Sequence, residues 1–130
     1  MKLTVAFGAG IVVGVAAVLG GMASLAGPET DPVKMSPEFY RVRIDNEWMR
    51  VLEYRLKPGQ KEPMHSHPHG FVYMLADARA RVSLPDGSSS LIDEHAGDLT
   101  WRGLTTHAFE NVGDTDVHAI GVELKPCTPQ

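Results

Sequence analysis

The residues best suited to chemistry sit in one short run, Gly59-Gln60-Lys61-Glu62-Pro63-Met64-His65-Ser66-His67-Pro68-His69. A Pro58-Gly59 turn leads into an extended segment, and an extended chain points residues i and i+2 to the same side. His65 and His67 therefore present two imidazoles side by side, which is half of a transition-metal site. The other half has to come from a distant strand, and His107 is the obvious candidate. His69 continues the alternation and is a candidate fourth ligand unless Pro68 turns it away. The single cysteine, Cys127, leaves neither a multi-cysteine metal site nor an intrachain disulfide framework open to the chain.

Positioning these histidines requires strands. After residue 38 nothing keeps a helical period, and short β-like segments alternate with turn signals. They are Tyr40 to Ile44, Trp48 to Leu56, the histidine segment, Phe71 to Leu75, Arg79 to Leu84, Ser90 to Asp93, Leu99 to Trp101, Thr106 to Glu110 and Asp116 to Leu124. Leu52, Tyr54 and Leu56 share one face of the second, and Ala80, Val82 and Leu84 share one face of the fifth. Such a series predicts an all-β domain, an antiparallel sandwich or small barrel. Roughly 90 residues close around a single core with modest stability in reserve, so pairing into a homodimer along an edge or face is a plausible remedy.

The N-terminus reads differently. Lys2 is followed by no charge until Glu29, and an apolar run covers residues 3–26. Ser24-Leu25-Ala26 places small residues at −3 and −1 of a cleavage after Ala26, the pattern of a signal peptide. The run is also long enough to span a bilayer as a retained anchor. Either way, Lys2 stays inside and the domain is expected outside the cytoplasm, periplasmic, secreted or membrane-anchored. The expected division is signal or anchor at 1–26, a proline-rich linker at 27–38 and the folded domain at 39–130. The formal charge of −4 comes with no Lys/Arg cluster, which argues against nucleic acid as a partner.

From about Asp45 to Lys125 the chain resembles a single-domain cupin, a double-stranded β-helix of the jelly-roll type. Gly59, His65 and His67 fall at the spacing of that family's first motif, and Gly97, His107 and Asn111 at that of its second. Gly103 and Thr105 replace a proline and a glycine of the second motif. The first motif's glutamate is replaced by Phe71 or Val72. The resemblance implies His65, His67 and His107 as ligands to a divalent transition metal, with Fe, Mn, Ni, Zn and Cu all compatible with imidazole. Three neutral imidazoles leave such an ion its full +2 charge, which favours small anionic chelators. Three-histidine cupins similar to this arrangement include iron dioxygenases acting on thiols or diketones.

His118 shares the face of Ile120, Val122 and Leu124, where a packed histidine, a hydrogen-bonded support and a further ligand are the open readings. His95 lies in an acidic loop and reads as solvated. Tyr54, Tyr73, Met74 and Trp101 read as core, with one or two of them open to lining a pocket. Arg79 and Arg81 alternate outward, though a curved sheet would turn one into a carboxylate clamp. His69, His118 and Glu53 are the residues available as a general base. Three functions compete: a metal-dependent oxygenase, isomerase or lyase acting on a small anionic chelator, a non-catalytic module binding a metal or small ligand, and a structural or interaction domain with a degenerate site.

Overall fold

The computed structural model describes residues 30–127. The apolar segment expected to be a signal or anchor lies outside the described residues. One helical turn, α1 (Pro32–Met35), precedes nine strands: β1 (Tyr40–Asp45), β2 (Met49–Leu56), β3 (Lys61–His67), β4 (Gly70–Met74), β5 (Ala78–Ser83), β6 (Ser89–Glu94), β7 (Leu99–Arg102), β8 (Thr105–Asn111) and β9 (Val117–Leu124). They pair antiparallel in a five-stranded sheet, β1-β2-β9-β4-β7, and a four-stranded sheet, β3-β8-β5-β6. Every strand expected from the sequence is present.

Register divides the barrel into two ends. Leu56 stands opposite Val117, and Met74 opposite Ala119. These four and Ala78 form a buried apolar cluster joined by Phe39, Tyr54, Val72 and Phe109. At the other end of the same strands, Glu123 stands opposite both Arg50 and Gly70. The apolar end supplies the stability, roughly 1.5–3 kcal/mol for each fully buried leucine or valine. The polar end holds the chemistry.

Two turn residues of the resemblance have a backbone reason. Gly59 and Gly97 both adopt positive φ, at 80° and 93°, where a side chain is strained. Asn111 is fully buried, and its Nδ2 donates to the carbonyls of Leu56 and Thr115, both at 2.8 Å. It braces the connection between β8 and β9.

The segment read as a linker contains structure in its described part. Asp31 caps α1 through Oδ1, accepting from the Val33 and Lys34 amides. Pro32 and Ser36 are buried. The Ser66 amide donates to the Thr30 carbonyl at 2.8 Å, so this segment covers part of the free edge of β3. Tyr73 and Trp101, read as core, are 42% and 61% exposed. Both belong to the pair of strands at the open margin of the larger sheet.

Candidate metal centre

His65 and His67 lie on β3 and His107 on β8, where His65 and His107 are direct cross-strand partners. The spacing in sequence and the register in space thus put all three rings together. His65 Nε2 is 2.9 Å from His67 Nε2 and 3.1 Å from His107 Nε2. Among the described residues these three form the group of ligand atoms close enough to share an ion.

The outer ring nitrogens decide the chemistry of the inner ones. His65 Nδ1 lies 2.8 Å from the Pro63 carbonyl. A carbonyl only accepts, so this nitrogen carries the proton and Nε2 is left with its lone pair. His67 Nδ1 lies 2.8 Å from Glu123 Oε1, and the same argument bares its Nε2. Burial holds the imidazoles neutral: His67 is pushed down to about 2, helped by Arg102, and His107 to about 3, while His65 is lowered as well. Two bare lone pairs aimed at each other across 2.9 Å repel unless a cation lies between them. Metal–nitrogen bonds of about 2.0–2.1 Å at right angles place donor atoms about 3 Å apart. The residues fit a divalent metal.

Glu123 is the residue that the sequence reading missed. It is buried, and besides His67 it pairs with Arg50, whose Nε donates to Oε2 at 2.8 Å. Arg50 in turn donates to Asp31 Oδ2 at 2.7 Å. A chain of alternating charge therefore runs from the N-terminal turn to the back of a ligand. The first-motif glutamate is absent, as expected, and Val72 presents an apolar side chain to the cavity. The carboxylate of this site stands behind an imidazole instead of beside it.

The trio borders a cavity of about 320 Å³ between the sheets, largely apolar in its lining. Five ionisable neighbours also line it: Tyr40, Tyr54, Glu62, Glu94 and Arg102. Glu62 faces inward together with His65, three residues on, because β3 carries an extra residue between them relative to β8. Burial pushes Glu62 up to about 7, against the opposing influence of the Tyr40 and Tyr54 hydroxyls. The same burial raises the tyrosines.

His69 and His118 take no part in this group. His69 is exposed and stacks on the Trp101 ring at 6.1 Å, turned outward after Pro68. His118 lies on the outer side of β9, with Nε2 2.8 Å from Glu53 Oε1. The face that it shares with Ile120 points away from the cavity, and Val117, Ala119 and Gly121 line it instead. Glu53 is on the same outer side, held down to about 2 by Arg43 and His118. Among these three base candidates none faces the cavity, whereas Glu62 does. Arg79 and Arg81 point to solvent toward Asp93 and Glu110.

No family model and no curated protein matches the sequence. Solved structures do. A cupin domain from Bordetella pertussis Tohama I is 27% identical with a TM-score of 0.62, covering 67% of this chain and 92% of its own. The chain folds as a cupin. An RmlC-like cupin family protein from Methanocaldococcus jannaschii, described as a double-stranded β-helix, shares this cupin's fold at 11% identity and a TM-score of 0.54, covering 65% of this chain and 77% of its own. A cupin superfamily protein from Desulfitobacterium hafniense does so at 10% identity and 0.52, covering 67% and 76%.

Proposed function

We propose that this cupin binds a divalent transition metal through His65, His67 and His107 and uses it on a small anionic chelating ligand, as an oxygenase, isomerase or lyase. The observation that carries the reading is the pair of bare Nε2 atoms converging at 2.9 Å, each fixed from behind by a hydrogen bond at Nδ1. An Fe, Mn, Ni, Zn or Cu ion held there supplies a Lewis acid beside the cavity. The protein's own part is to shape the space around it. Val72, Met74, Val82 and Phe109 exclude water, and Glu62, with a carboxyl near neutrality, holds or accepts a proton at the cavity wall.

The signal-like run at 1–26 and its flanking charges support a domain outside the cytoplasm. Exposed Leu99 and Trp101 at the free edge of the larger sheet support association with a second copy.

Elemental analysis of protein prepared without a polyhistidine tag, beside His107→Ala, tests the metal. About one ion per chain, lost in the variant, is the expected result; parent protein that refuses all five metals on titration overturns it. Turnover of the loaded protein on diketones, thiols and 2-oxo acids then separates an enzyme from a non-catalytic binding module, the second reading.

A further inference from the structure

Arg102 ends β7 with its guanidinium inside the cavity, and its side chain is 15% exposed. A charged group so enclosed needs partners. Its Nε finds no hydrogen-bond partner among the described residues. Its Nη2 lies 3.9 Å from Glu123 Oε1, beyond hydrogen-bond distance. Glu123 is already engaged, by Arg50 on one oxygen and His67 on the other. The Nε–Nη2 edge of Arg102 is therefore left without a bonded carboxylate from the protein.

Tyr54 and Glu62 stand beside each other, the tyrosine hydroxyl acting on the carboxyl. Both residues line the same cavity. The unpartnered Arg102 Nε thus faces one apolar space together with the Tyr54–Glu62 pair and the histidine trio.

We infer that Arg102 anchors the carboxylate of a small carboxylic acid whose second oxygen donor reaches the metal. This rests on the metal-site reading and narrows its ligand class. The Nε–Nη2 edge presents two parallel N–H groups, which match the two oxygens of a carboxylate. The carboxylate satisfies the buried guanidinium, and the ligand's polar remainder meets Tyr54 and Glu62. A diketone enolate carries no carboxylate and so lacks the group that Arg102 requires.

The test uses the full-length protein loaded with Co(II), titrated with pyruvate and with acetylacetone, a chelator without a carboxylate. In Arg102→Gln, pyruvate should bind roughly thirtyfold or more weakly, the loss expected when one partner of a buried charged pair is removed. Acetylacetone and Co(II) should bind as in the parent. Arg102→Lys, which keeps the charge and loses the fork, should weaken pyruvate in the same direction if the glutamine variant does not fold. Equal effects on both ligands, or none on either, overturn the assignment. Protein that takes up no Co(II) overturns the metal reading instead. Thermal stabilisation of the metal-free protein by pyruvate then decides the Arg102 assignment: present in the parent and lost in Arg102→Gln upholds it, while the same shift or no shift in both defeats it.

Discussion

Glu123 and His67 are 56 residues apart in the chain, and Glu123 Oε1 lies 2.8 Å from His67 Nδ1. This contact fixes the tautomer of a ligand and lends it negative charge from behind. Cupin sites that carry a glutamate ligand put that charge directly on the metal. Here it arrives through an imidazole ring, and Arg50 and Asp31 hold the carboxylate in place.

Replacing the carboxylate with its amide should therefore be felt at the metal. In Glu123→Gln, affinity should fall about 10–100-fold, the usual cost of losing such a support. Competition against a chelating indicator measures it. An unchanged affinity would show that the Nδ1 contact does not tune the ligand.

The buried imidazoles make the metal-free protein sensitive to acid. Their folded values lie below the ordinary histidine range. Below about pH 6.5 the unfolded chain takes up protons that the folded site refuses, and each such group lowers stability by about 1.4 kcal/mol per pH unit. Glu62 works the other way between 4.5 and about 7, since the folded state keeps its proton and the unfolded state releases it. Uptake by His67 and His107, with a part from His65, against release from Glu62 and in part Glu94 predicts a net uptake of about one proton on unfolding near pH 5.5. Urea midpoints across pH 5–7 give this number, and His107→Gln should lower it by about one. Stability that is flat across that range would mean the histidines titrate normally.

Glu62 carries its own sign. Its contribution is fully present below pH 4.5 and is lost as pH rises through about 7. At pH 8 the buried carboxylate should cost up to about 3 kcal/mol relative to acid conditions. Glu62→Gln removes the charge and should raise the melting temperature at pH 8 while leaving it nearly unchanged at pH 5. A variant less stable at both pH values would show that the carboxylate is compensated in the cavity.

Gly70 marks the closest approach of two strands. A Cβ there would stand 1.8 Å from the Val122 carbonyl oxygen, and backbone cannot rotate away. Gly70→Ala should force β4 from β9 at the site end and destabilise by roughly 2–3 kcal/mol, as overpacking does. Chemical denaturation reads this directly; parent-like stability would mean the pairing is looser than the register implies.

Strands and ligands were legible because their signals are local. Alternation and turn residues announce nine strands, and His-x-His announces its own face. What escaped depended on parity and distance. On β9 Val117, Ala119 and Gly121 face the cavity, and His118, Ile120 and Val122 alternate to the other side. His118 does share the face of Ile120 and Val122, partly buried and hydrogen-bonded to Glu53, but that face is not the cavity side. The extra residue in β3 brought Glu62 onto the side of His65, against strict alternation. No local pattern marks Arg102 as a cavity residue, while Arg79 and Arg81 drew the carboxylate-clamp idea to solvent-facing positions. The folded turn at Asp31 was hidden in a proline-rich stretch because its partner, Arg50, lies 19 residues away.

Trp101 gives the cavity a built-in optical reporter. Its indole borders the cavity, stacks on His69 and is 61% exposed, at the junction of inside and outside. The other of the two tryptophans, Trp48, is exposed beside Asn46 and lines no part of the cavity. Emission from Trp101 will therefore follow whatever enters the cavity or displaces His69, over a steady background from Trp48, and occupancy can be followed without any added label.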